Sequence, residues 1–228
     1  MRSQLIMCFL RDSTAESAME MLERSLSYRD WIVGVGLDSD EKGNPPVKFK
    51  DVFARARHEG YRLTMHCDVD QEDSVAHIWQ CLDEIEVERI DHGVNALEDA
   101  ALITEIKRRG LGLTACPISN NHVTDGLKAC EIKGLLDAGV RVTINSDDPA
   151  YFPGYMNENL MAVQAAAQLT RDEVVQLARN AFIVSWLDRE DRDRYLHSLD
   201  TYAGEAGRGG VGSSRRDRFD RIGTTSVS

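Results

Sequence analysis

Two adjacent carboxylates, Asp147 and Asp148, follow the apolar run Val140-Arg141-Val142-Thr143-Ile144 and precede Pro149. Adjacent carboxylates repel, and holding them at a strand end is costly without a cation or a hydrogen-bonding ligand. Pro149 cannot donate to a sheet ladder, so the strand stops there. Such a pair can ligate a metal and contact a substrate; the alternative is a helix N-cap followed by a surface turn. His66 follows Leu63-Thr64-Met65, and Asp91-His92-Gly93 follows Arg89-Ile90. A neutral imidazole at a strand end can bind zinc or hydrogen-bond within a core. A carboxylate next to a histidine suits orienting a water or a metal. Asp38, Asp40 and Glu41 are either substrate contacts or a solvated acidic loop. Cys116-Pro117-Ile118-Ser119-Asn120 reads as structural, with proline breaking a strand and Ser119 with Asn120 making a turn. Each motif alone has a bland alternative. Together, two histidines and several carboxylates at one mouth are the constellation of metal-assisted hydrolysis.

The elements that would bring them together are legible as six apolar runs, each polar at its C-terminal end. They are 4–10, 31–37, 63–65, 89–90, 111–115 and 140–144. Nearly continuous apolar runs suit parallel strands buried on both faces. Segments of helical period lie between them. One spans 13–26, with Ser13 or Thr14 as N-cap and Glu16 as box partner. Others span 46–59, 73–84, 97–109 stopped by Gly110, and 131–138 stopped by Gly139. Beyond Pro149 follow helices over 157–167 and 170–188, Thr170 and Glu173 forming a capping box. This alternation is that of βα units joined by right-handed crossovers. An open doubly wound sheet and part of a (β/α)8 barrel both place ligands at the carboxyl ends of the strands. The first unit lacks a glycine-rich turn, and polar residues end all six strands, which favours the barrel.

A formal charge of −11 excludes the basic face that nucleic-acid binding needs. The five cysteines are odd in number and have no CxxC spacing, so free thiols in a reducing compartment are expected. No apolar run reaches membrane-span length and no signal peptide precedes the first strand, so the expected location is cytoplasmic. Residues 1–200 are expected to form the partial barrel. From Ala203 the composition turns to glycine, serine and arginine, and 201–228 are expected to be a disordered tail.

Gly36-Leu37-Asp38-Ser39, Met65-His66, Arg89-Ile90-Asp91-His92-Gly93, Cys116-Pro117-Ile118-Ser119-Asn120 and Asn145-Ser146-Asp147-Asp148-Pro149-Ala150-Tyr151-Phe152 occur in an order and spacing that resemble the adenosine/adenine deaminase family of the amidohydrolase superfamily. The resemblance runs to about Leu199. It implies a (β/α)8 metal-dependent barrel, one Zn2+ ion, a small-molecule purine as partner, and hydrolysis of the purine 6-amino group with release of ammonia. Carried over, His66 and Asp147 would ligate zinc, and His92 would hold and help deprotonate the attacking water that Asp147 shares. Asp148 would contact a purine ring nitrogen, as would the loop around Asp38 and Ser39. Asp91 before His92 and the Asp-Asp-Pro-Ala-Tyr-Phe run resemble the adenine-type branch, so adenine or an N6-modified adenine is preferred over adenosine.

The sequence departs from that family twice. The glutamate that protonates the purine ring falls, without gaps, on Val69, which cannot transfer protons. A small insertion after His66 would leave Asp70 or Glu72 in that role, with Asp70 favoured. The family's first-strand His-X-His pair, two of the zinc ligands, is missing, because none of the six histidines lies two residues from another. Strands one and two of the barrel are therefore expected to be absent, leaving about six βα units, weak zinc binding and little activity. The alternatives are another amidohydrolase acting on a non-purine substrate and a non-catalytic fragment. The small cytidine-type deaminases are excluded by the lack of a Pro-Cys-x-x-Cys motif.

Overall fold

The computed structural model describes residues 3–67, 69–124 and 126–208. Six parallel strands pair in sequence order: β1 (Leu5–Leu10), β2 (Ile32–Asp38), β3 (Arg62–Cys67), β4 (Arg89–His92), β5 (Gly112–Ala115) and β6 (Arg141–Ile144). In a doubly wound sheet the order reverses at a switch point; here it never does. Sequential order is that of a (β/α)8 barrel, present here in part.

The alternation along β3 shows how the strands sort their side chains. Leu63 and Met65 are fully buried, while Thr64 and His66 point to the other face. Register carries that second face across the sheet, so that Thr64 and Thr114 hydroxyls both donate to the Asp91 carboxylate, at 2.6 and 2.7 Å. The apolar face meets the helices that follow each strand. They are α1 (Ala15–Ser25), α2 (Lys50–His58), α3 (Ser74–Gln80), α4 (Ala100–Arg109), α5 (Pro117–Val123) and α6 (Ala129–Asp137). Leu22, Phe53, Ile78, Leu102, Ile106, Ile132 and Leu135 are withdrawn from water. Burying such a side chain stabilises the fold by roughly 1.5–3 kcal/mol.

Helix ends follow their capping chemistry, with some departures from expectation. At α1 the cap is Thr14, whose hydroxyl accepts from Ser17 N at 3.1 Å, so the third helical position falls on Ser17 and no box forms with Glu16. The expected helix 46–59 begins with a 3-10 turn, Pro46–Phe49, before α2. That over 73–84 ends in a π turn, Cys81–Ile85, after α3. The segment from Leu97 opens only at Ala100, because the Asp99 carboxylate caps Ala101 N at 2.8 Å. Gly110 and Gly139 end their helices in left-handed backbone as expected, with φ of 70° and 77°. Proline at 117 does break the strand, but it opens α5 rather than a turn, its missing N–H costing nothing at the first helical position.

Two further helices, α7 (Met156–Ala167) and α8 (Arg171–Val184), complete a compact unit that ends at Trp186. Asn159 is fully buried; its amide oxygen accepts from Ile118 N at 3.0 Å and ties α7 to the start of α5. Asn180 Nδ2 donates to Val142 O at 2.9 Å and ties α8 to β6. A second unit starts at Leu187, and its described part is α9 (Arg189–Arg208), opened by the Asp188 carboxylate accepting from Asp191 N at 2.8 Å. Asp188 therefore starts a helix instead of ending one. The tail expected from 201 is helical as far as Arg208, and residues 209–228 lie outside the described residues. Among the described residues no helix is long and apolar enough to cross a membrane.

The expected capping box at α8 is present, with Thr170 N donating to Glu173 Oε2 at 2.7 Å and Glu173 N to Thr170 Oγ1 at 3.3 Å. Lys133, and then Thr170, hold the Glu173 carboxyl down from 4.5 to about 2. A depressed folded value means a contribution complete above pH 4.5 and lost as pH falls to about 2. Glu173→Gln should lower the melting temperature at pH 7, and circular-dichroism melts should show the gap to the parent closing across that window. Packing is tight where β5 meets α8, since a Cβ added at Gly112 would lie 2.5 Å from Val184 Cβ. Gly112→Ala should cost about 1–3 kcal/mol in urea unfolding.

Candidate active site

The carboxyl ends of the strands open on a cavity of about 500 Å3, whose lining includes Ser39, His66, His92, Asp147, Asp148 and Phe152. Three lining residues at or just past strand ends, Ser39, His92 and Asp147, have left-handed backbone, with φ of 76°, 57° and 57°. That conformation costs an L-residue about 1–2 kcal/mol, so the surrounding structure must impose it.

His92 is buried and held from both edges. Its Nδ1 lies 3.1 Å from the side-chain oxygen of Asn120 in α5, and Asn120 is fully buried. An amide oxygen only accepts, so Nδ1 carries the proton and Nε2 presents a lone pair. Nε2 stands 3.6 Å from Asp147 Oδ2. Two lone-pair donors at that separation need a proton, a water or a cation between them. Donor atoms of His92, Cys116 and Asp147 all lie within 4.8 Å of one another. Imidazole and carboxylate are donor types that zinc takes, so His66 and Asp147, which line the same cavity, fit that metal. The His66 ring meets His92 edge-on, with centroids 4.3 Å apart, although His66 is outside that three-donor cluster.

Asp148 lines the same cavity and also makes the turn of the bland reading, its carboxylate accepting from Ala150 N at 3.3 Å. Ser39 lines the cavity but Asp38 does not; burial raises the Asp38 carboxyl, against the opposing pull of His66, a Cys8 hydrogen bond and Arg11. Val69 forms part of the cavity wall. Asp70 needs correction: it lies in a separate pocket with Asn95 and Lys128, exposed, its carboxylate paired to the Lys128 ammonium. Lys128, and then Asn95, lower its pKa and keep it ionised, the wrong state for a proton donor. Glu72 also lies outside the main cavity.

Three partners were not read from the sequence as parts of the site. Asn120 and Cys116 belonged to a motif read as structural. Glu41, one of two readings of an acidic loop, is buried and sits 3.3 Å from His66 Nδ1. The sequence offers Glu41 only together with Asp38 and Asp40, as a substrate contact or part of a solvated loop, and not as a partner of His66.

The sequence pattern of the adenosine deaminase family matches residues 1–202. The chain belongs to that family. It is 50% identical over 202 residues to an uncharacterised deaminase of Schizosaccharomyces pombe, covering 88% of this chain and 60% of that protein. Over the same length it is 46% identical to an adenine deaminase of Hahella chejuensis, again 88% of this chain and 60% of that protein. The crystal structure of an adenine deaminase from Arthrobacter aurescens superposes with a TM-score of 0.83 at 34% identity, covering 88% of this chain and 62% of that one. The chain thus spans about 60% of the length of these curated relatives.

All five cysteines are free thiols, as expected, with Cys67, Cys81 and Cys116 buried. Burial raises the Cys116 thiol well above its ordinary value, and the Asp147 and Asp91 carboxylates add to this. Iodoacetamide at pH 8 followed by peptide mass spectrometry should label the exposed Cys130 first. Cys67, Cys81 and Cys116 should react only on unfolding.

Proposed function

We propose that this chain carries part of the site of a zinc-dependent deaminase that hydrolyses the 6-amino group of a purine. The preferred substrate is adenine or an N6-modified adenine rather than adenosine. The observation that carries this reading is the 3.6 Å approach of His92 Nε2 to Asp147 Oδ2, with Asp148 in the same cavity. The adenine deaminase relatives support the preference for adenine. His66 and Asp147 would hold the zinc. When bound, zinc lowers the pKa of its water towards about 7 and so supplies a nucleophile at neutral pH.

The chain's own residues do the rest. His92, its Nδ1 fixed by Asn120, takes a proton from the attacking water through Nε2. Asp147 accepts a hydrogen bond from the water's other hydrogen and orients it toward the purine C6, and the proton held by His92 is returned to the 6-amino group, which departs as ammonia. Asp148 hydrogen-bonds a ring nitrogen and sets which face and edge of the base meet that water. Ser39 and Phe152 close the wall around it. The free thiols suit a reducing compartment such as the cytoplasm.

With zinc present, the purified chain should release ammonia faster from adenine and N6-methyladenine than from adenosine in a coupled assay. Asp148→Ala should weaken adenine binding by about 10-fold or more, the worth of a charge-assisted hydrogen bond, while leaving zinc content unchanged. Neither binding nor deamination of any of the three purines would sink the assignment.

A further inference from the structure

We propose that Glu41 is the positioning residue for His66, gripping the imidazole through Nδ1 so that Nε2 is left as the lone-pair nitrogen; this rests on the reading of His66 as a zinc ligand. Glu41 lies in the loop after β2, and its side chain is 0% exposed, which excludes the solvated reading for this residue. Its two oxygens serve two histidines. Oε1 lies 3.3 Å from His66 Nδ1, and Oε2 lies 3.4 Å from Nδ1 of His77 in α3. A carboxylate only accepts, so both rings donate through Nδ1. For His66 that leaves Nε2 as the lone-pair nitrogen, the tautomer a metal-binding histidine needs.

Arg11, just past β1, makes the grip rigid. Its Nη1 lies 2.9 Å from Glu41 Oε1, and its Nη2 donates to the His66 carbonyl at 2.8 Å. One guanidinium therefore fixes the backbone of His66 directly and its ring through Glu41. Arg11 is itself held, its N–H donating to Asp38 O at 3.0 Å and its carbonyl accepting from Lys48 Nζ at 2.9 Å. A carboxylate that only balanced Arg11 would have no reason to reach two imidazoles from two other elements.

Glu41→Asp separates the two roles, because it keeps the charge beside Arg11 but shortens the reach to the rings. A second variant, Arg11→Met with Glu41→Leu, removes both charges and leaves none buried alone. Two-bond proton–nitrogen spectra of the histidine side chains, taken on the metal-free full chain at pH 7.5, read the tautomer. Competition with a chromophoric chelator reads zinc affinity. In the parent His66 should be the Nδ1–H form; in both variants that form should lose its dominance and zinc affinity should fall about 10–100-fold. A folded Glu41→Asp chain with the parent's tautomer and zinc affinity within twofold would overturn the proposal. His66→Ala is the control for the underlying reading. If it leaves zinc affinity unchanged, the ligand assignment fails, and the tautomer spectra still decide whether Glu41 sets the ring.

Discussion

An ion pair with no exposed surface on either side chain, Arg11 with Glu41, is the constraint around which the mouth of the sheet is organised. Desolvating two charges costs several kcal/mol each, and the return depends on geometry and on further hydrogen bonds. Here the further bonds run to the His66 carbonyl, the His66 ring and the His77 ring, so the ends of β1, β2 and β3 and the helix α3 are fixed by one cluster. Removing one partner would strand a buried charge, at about 3–5 kcal/mol. Such a cluster tolerates one arrangement and penalises the others. It serves specificity at least as much as stability.

The opposite wall of the cavity is built by neutral amides. Asn120 orients His92, Asn159 anchors the helix that carries Asn120, and Asn180 ties α8 to β6 just before Asp147. All three are buried, where an unsatisfied amide group costs about 1–3 kcal/mol; Asn159 and Asn180 bond through both oxygen and nitrogen, whereas Asn120 bonds through its oxygen and its Nδ2 has no partner among the described residues. The cavity wall is thus charged on the His66 side and amide-bonded on the His92 side. A water placed between His92 and Asp147 meets groups whose positions were settled when the chain folded.

The strands were legible because each is an apolar run between polar ends, and parallel strands leave little other choice. His66, His92, Ser39, Asp147 and Asp148 were legible because the same argument puts every strand end on one cavity. What was not legible depends on partners distant in sequence. Asp70 is drawn away by Lys128, fifty-eight residues later, and by its own left-handed backbone, neither of which its local sequence announces. Glu41 looks solvated until Arg11 and the two histidines are placed around it. Helix boundaries shifted where capping competed with periodicity, as Thr14 with Ser13 and Asp99 with Leu97 show.

The left-handed backbone at Ser39, His92 and Asp147 has a consequence for how such a chain can be improved. Glycine would relieve the strain at each position, since it alone enters that region without steric penalty. A search that rewarded only resistance to heat or protease would therefore drift toward glycine at these strand ends. It would recover a sturdier protein with an empty mouth. These three strained residues of the cavity wall mark where durability and chemistry pull in opposite directions.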